Sequence, residues 1–202
     1  MKKLGFGMMR LPLLNEEDKK SIDKKTVCQM VDTFMERGFT YFDTAYMYHE
    51  YESERAVKDV LVTRKDRDSY TLASKLPVMQ LKEKEDMERI FNEQREKCGV
   101  EYFDYYLLHA LDAEHYKTVK RLDCFGFAMQ KKAEGKVKHV GFSFHDSAEV
   151  LDQILTEHPE AEFVQLQLNY LDWEDAKVQS RKCYETAVKH GKKVVVMEPV
   201  KG

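Results

Sequence analysis

The chain of 202 residues predicts an α/β fold in which parallel strands form one sheet. Short apolar runs alternate along its length with longer stretches in which apolar residues recur at helical spacing. The connections are short, and no stretch rich in proline, glycine or serine divides the chain. Because parallel neighbours need a crossover between them, repeated strand–helix units favour a parallel sheet within one domain, residues 1–202.

The first part of the chain predicts three strands and two helices. The strands are the runs "LGFGMM", "FTYFDTA" and "SYTLASKL", the last of which is stopped by Pro77. The first helix begins after Asp23, a typical N-cap residue, and ends at Gly38. The stretch "SERAVKDVL" predicts the second helix, because its alanine, valines and leucine fall on one face.

The rest of the chain continues the alternation. The predicted helices are "KEDMERIFNEQREKCG", a long helical region from Tyr116 to Glu134, "AEVLDQILTEH" and "DAKVQSRKCYETAVKHG". The predicted strands are "YFDYYLLHAL", "KHVGFSF", "FVQLQLN" and "KKVVVMEP". Together these elements make about seven strand–helix units, where a full barrel takes about 250 residues.

Two observations separate a barrel from a doubly wound sheet. No G-x-G-x-x-G or phosphate-binding loop lies at a strand–helix junction, which disfavours the nucleotide-binding doubly wound folds. In "FVQLQLN", Gln165, Gln167 and Asn169 share one side and two leucines share the other, whereas strands of doubly wound sheets are usually apolar on both faces. The sequence therefore predicts an incomplete (β/α)8 TIM barrel of about seven strands.

Composition limits the location and the partners. Hydrophobic residues make up 43%, charged residues 34%, and the net charge is -3 with mixed signs, so we expect neither nucleic acid nor a membrane as a partner. The N-terminal segment is interrupted by glycines, an arginine and a proline and predicts a strand, not a signal peptide. The four cysteines are far apart without a Cys-x-x-Cys pair, which disfavours a metal site and favours a cytoplasmic location.

Polar side chains follow most of the predicted strands. They are Asp43, Tyr48, His49, Lys75, His109, Ser143, His145, Gln165, Gln167 and Asn169. Each has an ordinary structural interpretation as a turn, a cap or a packed surface residue. However, a barrel brings the carboxyl ends of its strands to one rim. Lys75 also lies in an apolar context, so it needs a partner such as Asp43.

Three segments carry a resemblance to a known family. "YFDTAYMYHE", "LASKLP" and "YYLLHAL" together resemble the aldo/keto reductases, and the resemblance covers essentially the whole chain. The catalytic tetrad of that family corresponds to Asp43, Tyr48, Lys75 and His109, in order on three successive strand units. "LGFGMMRLP" and "VMEPVKG" are most similar to bacterial members, some of which carry an iron–sulfur module further along.

The resemblance implies an NAD(P)H-dependent oxidoreductase that reduces an aldehyde or ketone, a small carbonyl substrate, to an alcohol. Hydride addition builds negative charge on the carbonyl oxygen, so a donor must supply a proton, and that role falls to Tyr48. A tyrosine hydroxyl ordinarily titrates near pH 10, and the neighbouring ammonium of Lys75 favours the tyrosinate. Asp43 is expected to keep Lys75 charged, and His109 to orient the carbonyl.

The resemblance also implies contacts to a cofactor, NADP or NAD. The expected cofactor-binding residues are Met8, Met9, Asp43, Ser143, Gln165 and Met197. Ser143 and Gln165 match the positions that hold the nicotinamide carboxamide, and Met197 stands where many members place a stacking aromatic residue. The chain departs from the family at Phe144, where an asparagine is usual, and at His49, where a glycine is usual.

The sequence stops at Gly202, directly after the seventh predicted strand. In the family, the next strand–helix unit binds the pyrophosphate and adenosine parts of the cofactor. We therefore expect a truncated reductase, with strand edges open to self-association.

Two alternatives remain open at this point. One is a catalytically impaired reductase-like barrel that acts as a binding or regulatory subunit, or a gene fragment. The other is a metal-dependent barrel hydrolase that uses Asp43, His49, His109 and His145. The second is disfavoured because the first strand lacks a His-x-His pair and because Lys75 would have no role.

Overall fold

The computed structural model describes residues 3–201; Met1, Lys2 and Gly202, at the ends of the predicted domain, lie outside the described residues. Strands and helices alternate throughout. The strands are β1 (Gly5–Gly7), β2 (Tyr41–Asp43), β3 (Thr71–Leu76), β4 (Phe103–Leu111), β5 (Val137–Phe144), β6 (Phe163–Gln167) and β7 (Lys193–Met197). The helices are α1 (Lys24–Glu36), α2 (Ser53–Val57), α3 (Glu85–Cys98), α4 (Ala113–Leu122), α5 (Cys124–Ala133), α6 (Ala148–Glu157) and α7 (Ser180–Lys189). A π-helical turn over Lys58–Val62 continues α2.

The seven strands form one sheet in the order β1-β2-β3-β4-β5-β6-β7. Strands β1 to β3 pair in parallel, as do β5 to β7. Sequential order with helical crossovers is the topology of successive units of a (β/α)8 barrel. The predicted fold class, an α/β barrel of about seven strands, is therefore confirmed.

The chain packs as two compact units. The first unit comprises Met1–Leu76 and Glu85–Tyr105, and the second comprises Pro77–Lys84 and Tyr106–Gly202. Strand β4 contributes residues to both. The assignment of residues 1–202 to a single domain stays a prediction.

The core of the first unit is built on α1 as its apolar spacing predicts. The Asp23 carboxylate caps the helix by accepting hydrogen bonds from the amide and the hydroxyl of Thr26, at 3.1 and 2.6 Å. Val27, Val31 and Phe34 are buried, and the Phe34 ring packs against rings from β1 and β2. Gly38, with φ of 78°, follows the helix in the left-handed region, where glycine lacks the steric cost of a side chain.

Two helices of the second unit differ from the prediction. The long helix expected from Tyr116 to Glu134 is two helices, because Asp123 adopts φ of 60° and its carboxylate caps α5 at the Gly126 amide. The helix expected from Asp175 begins only at Ser180, because the Asp175 carboxylate instead accepts hydrogen bonds from the next turn. Short acidic side chains favour such local bonds over helix continuation.

The four cysteines are free thiols, three of them buried. Within residues 3–201, no helix combines the length and the apolar character needed to cross a membrane.

Candidate active site

The Lys75 ammonium lies at the centre of the candidate site in the first unit. Its side chain is 1% exposed, and its nitrogen donates hydrogen bonds to the Asp43 carboxylate, the Thr44 carbonyl at 2.8 Å and the Tyr48 hydroxyl oxygen at 3.1 Å. Three acceptors match the three N–H bonds of an ammonium. Burial opposes this charge, but the attraction of Asp43 and Tyr48 outweighs burial and raises the pKa of Lys75.

Asp43 is held on both of its oxygens. Oδ1 accepts from Lys75, and Oδ2 accepts from the Tyr41 hydroxyl at 3.3 Å. Burial, together with the charge of Asp43, raises the pKa of Tyr41 well above its ordinary value, so this hydroxyl remains a donor. The ring of Tyr41 also packs edge-on against Tyr105, at 5.3 Å between centroids. The carboxylate opposite Lys75 is therefore fixed by two donors.

Tyr48 lies half-buried in the turn that follows β2. The next three residues, His49, Glu50 and Tyr51, all have left-handed backbone, with φ of 51°, 50° and 75°. The His49 ring accepts a hydrogen bond from the Leu11 amide at Nε2, 3.0 Å, and its Nδ1 lies 2.9 Å from the Lys19 carbonyl. Because Nε2 is the acceptor, Nδ1 carries the hydrogen and donates it. His49 thus links the segment between β1 and α1, which contains Leu11 and Lys19, to the turn that carries Tyr48.

Sequence reasoning missed the polar groups that surround the backbone of Lys75. Ser53 and Glu54, at the start of α2, are both fully buried. Glu54 accepts hydrogen bonds from Ser74 and Gln94, and Gln94 also donates to the main-chain oxygen of Lys75 at 3.0 Å. A signal was present, because Glu54 falls three positions before Val57, on the apolar face of the helix, and a carboxyl there needs partners.

Three of the predicted residues lie on adjacent strands of the second unit. His109 on β4, Ser143 on β5 and Gln165 on β6 are all buried. The Ser143 hydroxyl accepts a hydrogen bond of 2.7 Å from the amide of Ala110, which has φ of 55°. Ser143 and Gln165 are register partners on neighbouring strands. The structure therefore brings these positions onto three adjacent strands, with His109 and Ser143 near the carboxyl ends of β4 and β5 and Gln165 in the middle of β6.

The other amides of β6 and its following loop serve a local structure. Gln167 and Asn169 each donate a 2.6 Å hydrogen bond to Asp172 Oδ2, and Lys201 contacts the other oxygen of Asp172. The Lys201 contact and the two amides hold the pKa of Asp172 at about 2. Met197 pairs with Gln167 in register and is partly exposed. Two of the three amides predicted for this strand, Gln167 and Asn169, thus share one partner in the loop after β6.

The two methionines after β1 have unlike environments. Met8 is fully buried; its amide donates to the Asp43 carbonyl at 2.8 Å, and its carbonyl accepts from Ser53 at 3.1 Å. Met9 is 49% exposed. Met8 is therefore part of the scaffold beside Asp43, whereas Met9 faces solvent.

The hydrolase alternative finds no support in residues 3–201. Within them, no group of three or more His, Cys, Asp or Glu side chains is placed to hold a metal ion. The two ring nitrogens of His49, one of the ligands that this alternative needs, are engaged by main-chain groups.

Comparisons with solved structures support the fold. The chain is similar to a putative aldo-keto reductase from Pseudomonas aeruginosa, with a TM-score of 0.77 and 18% identity over 97% of this chain and 73% of that one. It is also similar to an aldo/keto reductase from Brucella melitensis, with a TM-score of 0.70 and 20% identity over 99% of this chain and 69% of that one. A reductase from Klebsiella pneumoniae, solved in complex with NADPH, has a TM-score of 0.66 and 20% identity over 95% of this chain and 62% of that one.

The sequence comparisons identify the family. No match was found among curated proteins. Residues 3–202 match the profile of the aldo/keto reductase family. The chain therefore belongs to the aldo/keto reductase family, which confirms the predicted class of NAD(P)-dependent oxidoreductase.

Proposed function

We propose that this chain catalyses the NADPH-dependent reduction of an aldehyde or ketone to an alcohol, with Tyr48 as the general acid. Family membership supports the reaction class. The observation that carries the assignment of the acid is the hydrogen bond of 3.1 Å from the Lys75 ammonium to the Tyr48 hydroxyl oxygen.

The proton chemistry follows from this contact. As negative charge builds on a carbonyl oxygen, Tyr48 donates its proton to that oxygen. The Tyr48 oxygen already accepts a hydrogen bond from Lys75, so the ammonium stabilises the negative charge left behind on Tyr48. Asp43, bonded to the same ammonium, keeps the positive charge in place inside a buried site. The family resemblance assigns His109 the role of orienting the carbonyl.

The residues of the second unit fit a nicotinamide carboxamide, which offers both a donor and an acceptor. Ser143 accepts from Ala110, and its own hydroxyl hydrogen can be donated; Gln165 carries both a donor and an acceptor. These two residues would hold the carboxamide, with Met197 beside the ring. When bound, the nicotinamide supplies the hydride. A reductase of similar fold is solved with NADPH, which is the cofactor we propose to test first.

A cofactor titration and one substitution test the proposal. NADPH is titrated into the purified chain while nicotinamide fluorescence is recorded, and a panel of aldehydes and ketones is then assayed by loss of nicotinamide absorbance. We expect binding and turnover in the wild type. We expect Tyr48→Phe to bind NADPH unchanged and to lose reduction, because a single hydroxyl is removed.

Circular dichroism of Tyr48→Phe serves as the control for folding. Turnover by Tyr48→Phe would refute the acid assignment. Absence of binding at millimolar NADPH would refute the enzyme assignment for this chain. Binding without turnover in the wild type would favour the alternative of a catalytically impaired binding subunit.

We also propose that the chain self-associates through its edge strands. Apolar side chains are exposed on or beside the edge strands: Val196 on β7 is 47% exposed, and Leu4, just before β1, is 54% exposed. Unpaired strand edges with exposed apolar residues are templates for association. Analytical ultracentrifugation of the wild type and of Val196→Lys tests this, and a concentration-independent monomer in the wild type would contradict it.

A further inference from the structure

Glu54 is a buried acid to which the proposed proton transfer assigns no role. Its side chain is fully buried, and burial raises the pKa of its carboxyl despite hydrogen bonds from Ser74 and Gln94. Burying a carboxyl has a free-energy cost that must be offset by its hydrogen bonds. The groups that Glu54 contacts therefore indicate its role.

The Glu54 contacts converge on the main chain of Lys75. Oε1 accepts hydrogen bonds from the Ser74 hydroxyl at 2.7 Å and from Gln94 Nε2 at 2.8 Å. Gln94 Nε2 also lies 3.0 Å from the Ser74 hydroxyl oxygen and 3.0 Å from the Lys75 carbonyl oxygen. Ser74 and Lys75 are consecutive in β3. The Glu54 carboxyl therefore orients the side-chain amide of Gln94, which holds the main chain of β3 at Lys75.

Ser53, the residue before Glu54, supports the opposite end of the lysine side chain. Its hydroxyl lies 2.8 Å from the Thr44 hydroxyl and donates to the Met8 carbonyl at 3.1 Å. The Thr44 carbonyl in turn accepts from Lys75 Nζ at 2.8 Å. Two adjacent residues of α2 are thus linked to both the main chain and the ammonium of Lys75.

We propose that Glu54 is a positioning residue for Lys75, acting through Gln94 on the Lys75 main chain and so setting the contact between Lys75 and Tyr48. This inference rests on the proposed function for its effect on turnover. The statement that Glu54 positions Lys75 rests on the hydrogen bonds alone. The network requires an oxygen acceptor at Oε1, not a negative charge, because Asp43 already faces the Lys75 ammonium.

Two substitutions of Glu54 separate the acceptor from the charge. Glu54→Gln keeps an oxygen acceptor and removes the charge, whereas Glu54→Met removes both at a similar size. We expect Glu54→Gln to retain kcat within a few-fold, and Glu54→Met to lose on the order of 10- to 100-fold, the effect of a small displacement of a catalytic group. KM for the carbonyl substrate should change little in both, because Glu54 does not bind substrate.

A second site and a control keep the test interpretable. Gln94→Met should reproduce the loss in kcat, and the double variant Glu54→Met/Gln94→Met should lose no more than either single variant, because both act through one chain of bonds. Val60→Ala shortens a fully buried side chain in the segment after α2 and should lower stability while leaving kcat unchanged. Loss of kcat in Val60→Ala comparable to that in Glu54→Met would assign the effect to general destabilisation and overturn the proposal.

A crystal structure of each variant provides a measurement that is independent of turnover. We expect the distance from Lys75 Nζ to the Tyr48 oxygen to stay near 3.1 Å in Glu54→Gln and to exceed hydrogen-bonding range in Gln94→Met and Glu54→Met. An unchanged distance in both methionine variants would overturn the inference, whatever the activity. An inactive wild type with the expected distances would instead overturn the proposed function alone.

Discussion

Lys75 donates a hydrogen bond of 3.1 Å to the Tyr48 hydroxyl oxygen, and the same ammonium donates to the Asp43 carboxylate. These three residues belong to the first compact unit, although their positions span two strands and the turn between them. The acid proposed for catalysis and the charge that supports it are therefore held by one set of packed elements.

Lys75→Met should abolish carbonyl reduction and also destabilise the fold. The substitution leaves the Asp43 carboxylate buried without its cation, and breaking such a pair typically costs about 3–5 kcal/mol. Urea unfolding and turnover are measured for Lys75→Met and for Lys75→Met/Asp43→Asn. We expect the double variant to regain stability but not turnover. Equal stability of the single variant and the wild type would show that the pair contributes little to folding.

Glu54→Gln should become relatively more stable than the wild type as the pH rises. The raised pKa of Glu54 means that the folded state holds its proton more tightly than the unfolded state, whose carboxyl titrates near 4.5. The wild type therefore loses folding free energy as the pH rises above about 4.5, until the folded carboxyl also ionises, whereas the variant has no group to titrate. Urea unfolding of both proteins at several pH values between 5 and 8 checks the direction. A pH-independent difference would contradict the raised pKa.

The contribution of Glu162 to folding stability should depend on pH in the opposite direction to that of Glu54. Burial favours its protonated form, but hydrogen bonds from His139, Lys132 and the Val140 amide outweigh burial and hold its pKa at about 2. Its contribution to folding is therefore complete above its ordinary value near 4.5 and is lost as the pH falls towards 2.

The stability difference between wild type and Glu162→Gln, measured by urea unfolding, should shrink on acidification. A difference that widens at low pH would refute the lowered pKa of Glu162.

His49→Gly should destabilise the protein modestly even though glycine is usual at this position in the family. Glycine removes the steric cost of the left-handed backbone, which stabilises the variant by about 1–2 kcal/mol. It loses the two ring hydrogen bonds, each worth about 0.5–1.5 kcal/mol, and leaves the Leu11 amide and Lys19 carbonyl without this partner. Glycine also gives the unfolded chain more conformational entropy, which destabilises the folded state by about 0.5–1 kcal/mol.

Glu50→Gly provides the matched control for His49→Gly. Glu50 has the same backbone region, but its side chain is exposed and, among residues 3–201, its one ion pair is with Lys20 at 3.9 Å. Thermal unfolding should therefore show a lower midpoint for His49→Gly than for Glu50→Gly. Equal midpoints would show that the ring contacts contribute nothing.

The sequence predicted the order of strands and helices because periodicity is a local property. It failed at Asp123, where a continuous helical pattern hides one left-handed residue that ends α4 and caps α5. It failed again before Ser180, where Asp175 forms a turn within an amphipathic stretch. In both cases an acidic side chain bonds the backbone, and apolar spacing carries no information about such bonds.

In the candidate site, the sequence predicted only those residues whose type and surrounding segment indicate a chemical role. Asp43, Tyr48 and Lys75 lie in recognisable segments, and the structure brings them into hydrogen-bonding contact. Gln94 is different, because an amide on a predominantly charged helix looks like a surface residue until tertiary packing places it behind β3.

The division of the chain into two units has a consequence for how such reductases can diversify. The proton donor, its ammonium and the buried network behind them are all encoded before Tyr106, whereas Ser143, Gln165 and Met197 are encoded after it. Recombination at this boundary can exchange the residues proposed to bind the nicotinamide while the proton-transfer residues are inherited together. Libraries that shuffle homologous segments after Tyr106 are therefore a direct route to altered contacts with the nicotinamide on an unchanged acid.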